Sequence, residues 1–169
     1  MMLLNLTPYE SLLSDLEKEK DLYIFEMKFK SSAKGLYQDN VIAINKNIET
    51  DSEKRCILAE EFAHHKKTYG NIQKLDNIEN IKQEYKARLF AFETLIDIET
   101  LAIALTKNVS NISELSDELN VTEDFLLECL EVYKRKFGNK IIKTEYGKII
   151  FYPNLTFFPY LKGVYDEQE

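Results

Sequence analysis

The sequence predicts an α+β protein, mainly helical with a small antiparallel sheet, followed by a helix-turn-helix-like unit and a C-terminal β-hairpin. Three observations carry this reading. Apolar residues recur at helical spacing, with cap signals, over most of residues 51–138. Two short runs of aromatic and branched residues, 22–29 (LYIFEMKF) and 41–44 (VIAI), precede the longest helical stretch. A third β-rich run, KIIKTEYGKIIFYP, follows the last one. At 169 residues, with 44% hydrophobic and 30% charged side chains, the chain has the material for one globular domain, or one with a small appendage. The expected division is 1–108 and 109–169, packed together as one compact unit.

In chain order, Leu12, Leu13 and Leu16 predict a short amphipathic helix over 10–20, after Pro8. The runs at 22–29 and 41–44 predict strands, separated by KSSAKG and joined near Gly35, with Asp39-Asn40 as a further turn signal. Thr50 followed by Glu53 forms a capping-box pattern and starts a helix over 51–68, which Gly70-Asn71 ends. Ile81, Tyr85, Leu89, Phe92 and Ile96 then predict a long helix over 80–96, and 99–107 a shorter one. Residues 113–119 and 123–136, the second capped by Thr122, have the cadence of a helix-turn-helix, after which the β-rich run could form a wing.

Charge narrows the function classes. A formal net charge of −7 and a pI near 5.0 argue against a broad phosphate-neutralising surface. The helix-turn-helix-like stretch, 111–138, is itself acidic, with carboxylates at Glu123, Asp124, Glu128 and Glu131 where a DNA reader needs donors. Structural packing or a protein contact is therefore expected there, rather than direct nucleic-acid binding. The N-terminal MMLLNLTPYES lacks the basic and long apolar regions of a leader or a membrane span. Cys56 and Cys129 stand alone on amphipathic helices, as buried free thiols suited to a reducing cytoplasm.

The stretch DSEKRCILAEEFAHHKKT holds both histidines of the chain. Four-residue spacing stacks Glu60 with His64 and Glu61 with His65 on the helix surface. This is the spacing of the helical H-E-x-x-H zinc motif, with Glu60 in the place of the first histidine. A carboxylate oxygen reaches zinc at roughly 2.0–2.2 Å, much as an imidazole nitrogen does, so the exchange keeps the geometry. A solvated helix face carrying two Glu and two His is the other reading of these residues. A third ligand would have to come from elsewhere, and Glu84, near the start of the next long helix, is the best placed candidate. Alone, it reads equally as a surface glutamate favoured by the helix dipole. His65 diverges from His64 by about 100° and does not easily share a metal with it. Tyr69, Tyr85 and Arg88 are further groups that could position a substrate.

Three blocks, in order, give the chain a resemblance to the ImmA/IrrE-like metalloendopeptidases. GLYQDNVIAIN resembles that family's strand block, and CILAEEFAHH is similar to its LAEELGHH form of H-E-x-x-H. Glu84 with Ala87, Phe90, Ala91 and Leu95 resembles E-x-x-A-x-x-F-A-x-x-L-L-M-P, whose first glutamate is a metal ligand. The tail is only loosely similar. The resemblance implies a zincin-like domain over 1–108, with Glu60, His64 and Glu84 as metal ligands and Glu61 as the catalytic base that takes a proton from the activated water. It also implies a partner regulatory protein as substrate, such as the repressor of a phage or other mobile element. The departures are Glu60 for His, Ala63 for Gly and Asp97 for Pro. The added carboxylate makes the metal a weaker Lewis acid and suits Mn2+ or Fe2+ as well as Zn2+, so a slow or selective protease is expected. A non-catalytic module that regulates a repressor by contact alone is the alternative.

Overall fold

The structure is a computed structural model that describes residues 6–67 and 78–161. Its helices begin where side chains can satisfy the free N–H groups of a first turn. In α1 (Pro8–Leu16), Thr7 Oγ1 accepts from Glu10 N at 3.2 Å, and Glu10 Oε2 accepts from Thr7 N at 2.8 Å. Pro8 occupies the first helical position, where its missing N–H costs nothing. The helix stops short of the predicted residue 20, because nothing apolar lies between Leu16 and Leu22 to bury against the core.

Strands β1 (Tyr23–Met27), β2 (Gly35–Gln38) and β3 (Val41–Asn45) form a sheet of order β1-β3-β2. The expected antiparallel pairing of the two predicted strands is corrected here: β1 and β3 run parallel, Tyr23 opposite Val41 and Met27 opposite Asn45. The antiparallel partner of β3 is β2, a four-residue strand that residue patterning left in the connection and that the GLYQDNVIAIN block included. Asp39 and Asn40, with φ of 49° and 64°, make the two-residue turn between them. Positive φ at both central positions matches the twist of a tight hairpin, and Asp and Asn tolerate it.

Helix α2 (Asp51–Lys67) crosses this sheet and continues the core in two directions. Thr50 Oγ1 accepts from Glu53 N at 3.3 Å, while the Glu53 carboxylate pairs with Lys34. Leu58 and Phe62 join Ile42, Ile44, Leu16 and Tyr9 under the sheet. Cys56, Ala59 and Ala63 join a larger cluster with α3 (Ile78–Leu95) and the elements beyond it. The buried residues of α3 are Ala87, Ala91, Phe92 and Leu95, whereas Ile81 and Tyr85, expected on its core face, are exposed. Residues 68–77 lie outside the described residues, and with them the expected Gly70-Asn71 helix end and Tyr69.

Helix α4 (Ile98–Leu105) is capped by Asp97, α5 (Ile112–Leu119) by Asn111 and α6 (Glu123–Phe137) by Thr122. The α5–α6 turn passes through Asn120 in the left-handed region, φ 52°, and α2 fastens it. Arg55 Nη1 donates to Leu119 O at 2.7 Å and to Asn120 O at 3.1 Å, satisfying carbonyls that the end of α5 leaves open. The C-terminal β-hairpin gains a third strand. β4 (Ile142–Lys143), β5 (Gly147–Ile150) and β6 (Thr156–Pro159) form an antiparallel sheet in that order. Ile149 and Phe151 enter the same buried cluster as Ala59 and Ala91, so the main core draws on both predicted segments. Tyr133, 1% exposed, donates from its hydroxyl to Ile96 O at 2.6 Å and ties α6 to the end of α3.

Candidate metal centre

Two alanine-faced helices create the space for the site. Ala59 and Ala63 of α2 share their buried cluster with Ala87 and Ala91 of α3. Between the two helices lies a cavity of about 80 Å³, with the small side chains of Ala87 and Ala91 in its wall. Glu60, Glu61 and His64 line it from α2, and Glu84 and Arg88 from α3. The structure thus brings the four residues singled out in the sequence to one cavity. It also adds Arg88, whose Nη2 lies 2.9 Å from Glu128 Oε2 of α6.

The other histidine goes elsewhere. His65 Nδ1 lies 3.2 Å from Tyr37 Oη, and its ring stacks on Phe62 at 6.1 Å between centroids. It is a strut between α2 and β2.

Sequence reasoning treated Gly35 as a joint in the chain, and missed its role at the site. A Cβ there would stand 2.5 Å from Ile57 Cγ2 and 2.6 Å from Glu61 Oε1. Only glycine lets β2 lie this close to α2. The signal was available, since glycine within a strand pattern often marks close approach of other atoms. The approach has a consequence for Glu61, whose carboxylate accepts a hydrogen bond from the Tyr37 N–H of β2.

Burial dominates the electrostatics of the cavity. It pushes the Glu61 carboxyl up to about 7, helped by the charges of Glu60 and Glu84 and opposed by the Tyr37 N–H. Glu60 is also raised, first by burial; Arg88 and Lys34 act against this, and Glu128 and Glu84 with it. A carboxyl that titrates near neutrality is poised to take and return a proton. The cysteines are not. Burial pushes Cys56 up to about 11 and Cys129 up to about 12, which leaves both as neutral thiols.

A family model described as the IrrE N-terminal-like domain, Peptidase M78, matches residues 17–131, about two thirds of the chain. The chain belongs to this family. The match takes in α2, α3 and the cavity between them, and it bears out the resemblance read from the three sequence blocks. No curated protein and no solved structure matches the chain. Membership in the M78 family makes the domain peptidase-like, with a protein as substrate, and implies a metal cofactor, typically zinc.

The donor set fits such an ion in kind. Carboxylate and imidazole are donors that zinc takes, and the crowded carboxylates that raise Glu60 and Glu61 call for a cation. In arrangement the set is open: among the described residues, no three His, Cys, Asp or Glu side chains stand together closely enough to hold a metal ion. Closing on an ion therefore requires side-chain movement within the cavity.

Proposed function

We propose that the chain is a metal-dependent endopeptidase that cleaves a partner regulatory protein, most simply the repressor of a phage or mobile element. Glu60, His64 and Glu84 are the proposed ligands of Zn2+, or of Mn2+ or Fe2+, and Glu61 is the proposed catalytic base. The observation that carries this reading is the meeting of all four on one cavity, from two helices of a Peptidase M78 domain. A divalent ion bound there supplies Lewis acidity to the scissile carbonyl and to the attacking water.

The rest follows from the chain's own groups. A carboxyl near 7 is about half ionised at neutral pH, so Glu61 Oε can accept a proton from water and, once protonated, pass it to the leaving amine nitrogen. The Tyr37 N–H favours the ionised carboxylate, while partial burial favours the protonated one. The strand that supplies this N–H, β2, is an edge of its sheet. An extended substrate segment thus has backbone donors and acceptors to pair with beside the base. The substrate reaches the cavity as a peptide strand.

The segments 1–108 and 109–169 are proposed to serve as catalytic domain and appended helical unit. Among the described residues, no helix is long and apolar enough to cross a membrane, and both cysteines are free thiols. A cytoplasmic site of action belongs to the same proposal. The open arrangement of the donors favours one rival, a module that binds its partner without cutting it. Glu61→Gln separates the two. With the purified repressor-type partner, an endopeptidase loses cleavage by about 10²-fold or more while keeping its fold and metal content. A contact regulator controls the partner equally well with either residue, and that result would replace the protease reading.

A further inference from the structure

Among the described residues, three carboxylates face the cavity, at Glu60, Glu61 and Glu84, and one guanidinium, at Arg88. Arg88 follows Glu84 by one turn of α3, so the two share a helix face. Arg88 has a second partner outside the cavity. Its Nη2 lies 2.9 Å from Glu128 Oε2, and both side chains are about half exposed, 46% and 51%.

We infer that Arg88 is a movable counter-charge that sets the affinity of this cavity for a divalent cation, with Glu128 as its anchor. Paired with Glu128, it leaves the carboxylates to an ion; turned onto Glu60, it takes the ion's place. The inference rests on the metal-site reading above. Its physical basis is that a guanidinium and a divalent cation compete for the same carboxylates, and that their mutual repulsion is strong in a poorly solvated cavity. A half-exposed ion pair is weak, so the two placements of Arg88 lie close in free energy and Glu128 tips the balance. Arg88 is thus a positioning residue for the ion. Its charge, and not its shape, is what acts.

The test is the zinc affinity of the full chain, measured by competition with a chromophoric chelator, for wild type, Arg88→Gln, Glu128→Gln and the double variant. Arg88→Lys serves as the charge-preserving control, and circular dichroism checks the fold. Arg88→Gln should bind zinc about tenfold more tightly or better, because one repelling charge is gone. Glu128→Gln should bind more weakly by about threefold to tenfold, since it frees Arg88 to turn inward. In the Arg88→Gln background the same change should shrink to within about twofold, as it must if Glu128 acts through Arg88. Arg88→Lys should stay near wild type.

Zinc binding by Arg88→Gln but not by wild type would also support the inference, with Arg88 as the resident cation. Equal or weaker binding by Arg88→Gln, beside a wild type that binds, would overturn it and leave the metal site standing. A Glu128→Gln effect undiminished in the double variant would overturn the anchor and with it the inference. Absence of zinc from every variant would overturn both the inference and the metal-site reading.

Discussion

Toward the sheet, α2 presents Leu58 and Phe62, large side chains buried against Ile42 and Ile44. Toward α3 it presents Ala59 and Ala63, which share their cluster with Ala87 and Ala91. The sheet side is filled, and polar struts reinforce it: His65 with Tyr37, and Lys54 with Glu26. The α3 side is narrow and keeps a cavity of about 80 Å³ lined with carboxylates. The comparison teaches a division of work within one helix. Packing on one face fixes the helix itself, so that the other can keep an open cavity whose charged side chains have room to rearrange.

The largest effects should come from exchanging these two rules. Leu58→Ala, at a fully buried position on the filled side, is expected to cost about 2–5 kcal/mol in urea unfolding. Ala91→Leu does the reverse. It intrudes on the cavity, at an expected cost of about 1–3 kcal/mol, and should abolish zinc binding, whereas any folded fraction of Leu58→Ala keeps it. Zinc retained by Ala91→Leu would show that the alanines do not hold the cavity open.

Gly35→Ala tests the seam where the two faces meet. The added methyl would press on Ile57 and on the Glu61 carboxylate, and the second must leave its Tyr37 N–H to make room. Stability should fall by about 1–3 kcal/mol, and cleavage of the partner by more, on the order of 10²-fold, because the base is displaced from its place. A loss of cleavage no larger than the loss of folded protein would reduce Gly35 to a packing residue.

The division also explains what could be read in advance. The helices were legible because their caps are local: Thr50 and Thr122 lie in plain view before apolar residues at helical spacing. The trio Glu60, Glu61 and His64 was legible for the same reason, as one turn of one helix. Glu84 was legible only as a candidate at the start of the next helix, which the family pattern strengthened, because only packing brings α3 beside α2. Strand β2 was legible only through the GLYQDNVIAIN block and the Asp39-Asn40 turn signal, since four residues carry no periodicity of their own. The parallel pairing of β1 with β3 depends on α2 filling the sheet's inner face, and no local signal reports it. The aromatic run at β6 hid a strand because Phe157 turns inward and Phe158 outward without a polar partner to mark the alternation.

The smallest expected effect isolates the filled side by pH. Tyr9 Oη donates to Glu26 Oε1 at 2.8 Å and Lys54 Nζ to Glu26 Oε2 at 3.1 Å, which joins α1, β1 and α2. Burial pushes the Glu26 carboxyl up, but these two donors and the Lys54 charge outweigh it and hold it below its ordinary value. A carboxyl depressed in the folded state binds its proton more readily when unfolded. Its stabilisation is therefore complete above the unfolded pKa and disappears as pH falls through the folded one. At neutral pH, Glu26→Gln should cost about 0.5–1 kcal/mol, modest because the pair keeps some contact with solvent. Urea unfolding repeated from about pH 7 to pH 3 should show the gap between wild type and variant closing at the acid end. Zinc affinity at neutral pH should not change. A gap that persists at pH 3 would mean that the Tyr9 hydroxyl, and not the charge, does the joining, and a shift in zinc affinity would mean that the two faces of α2 are not independent.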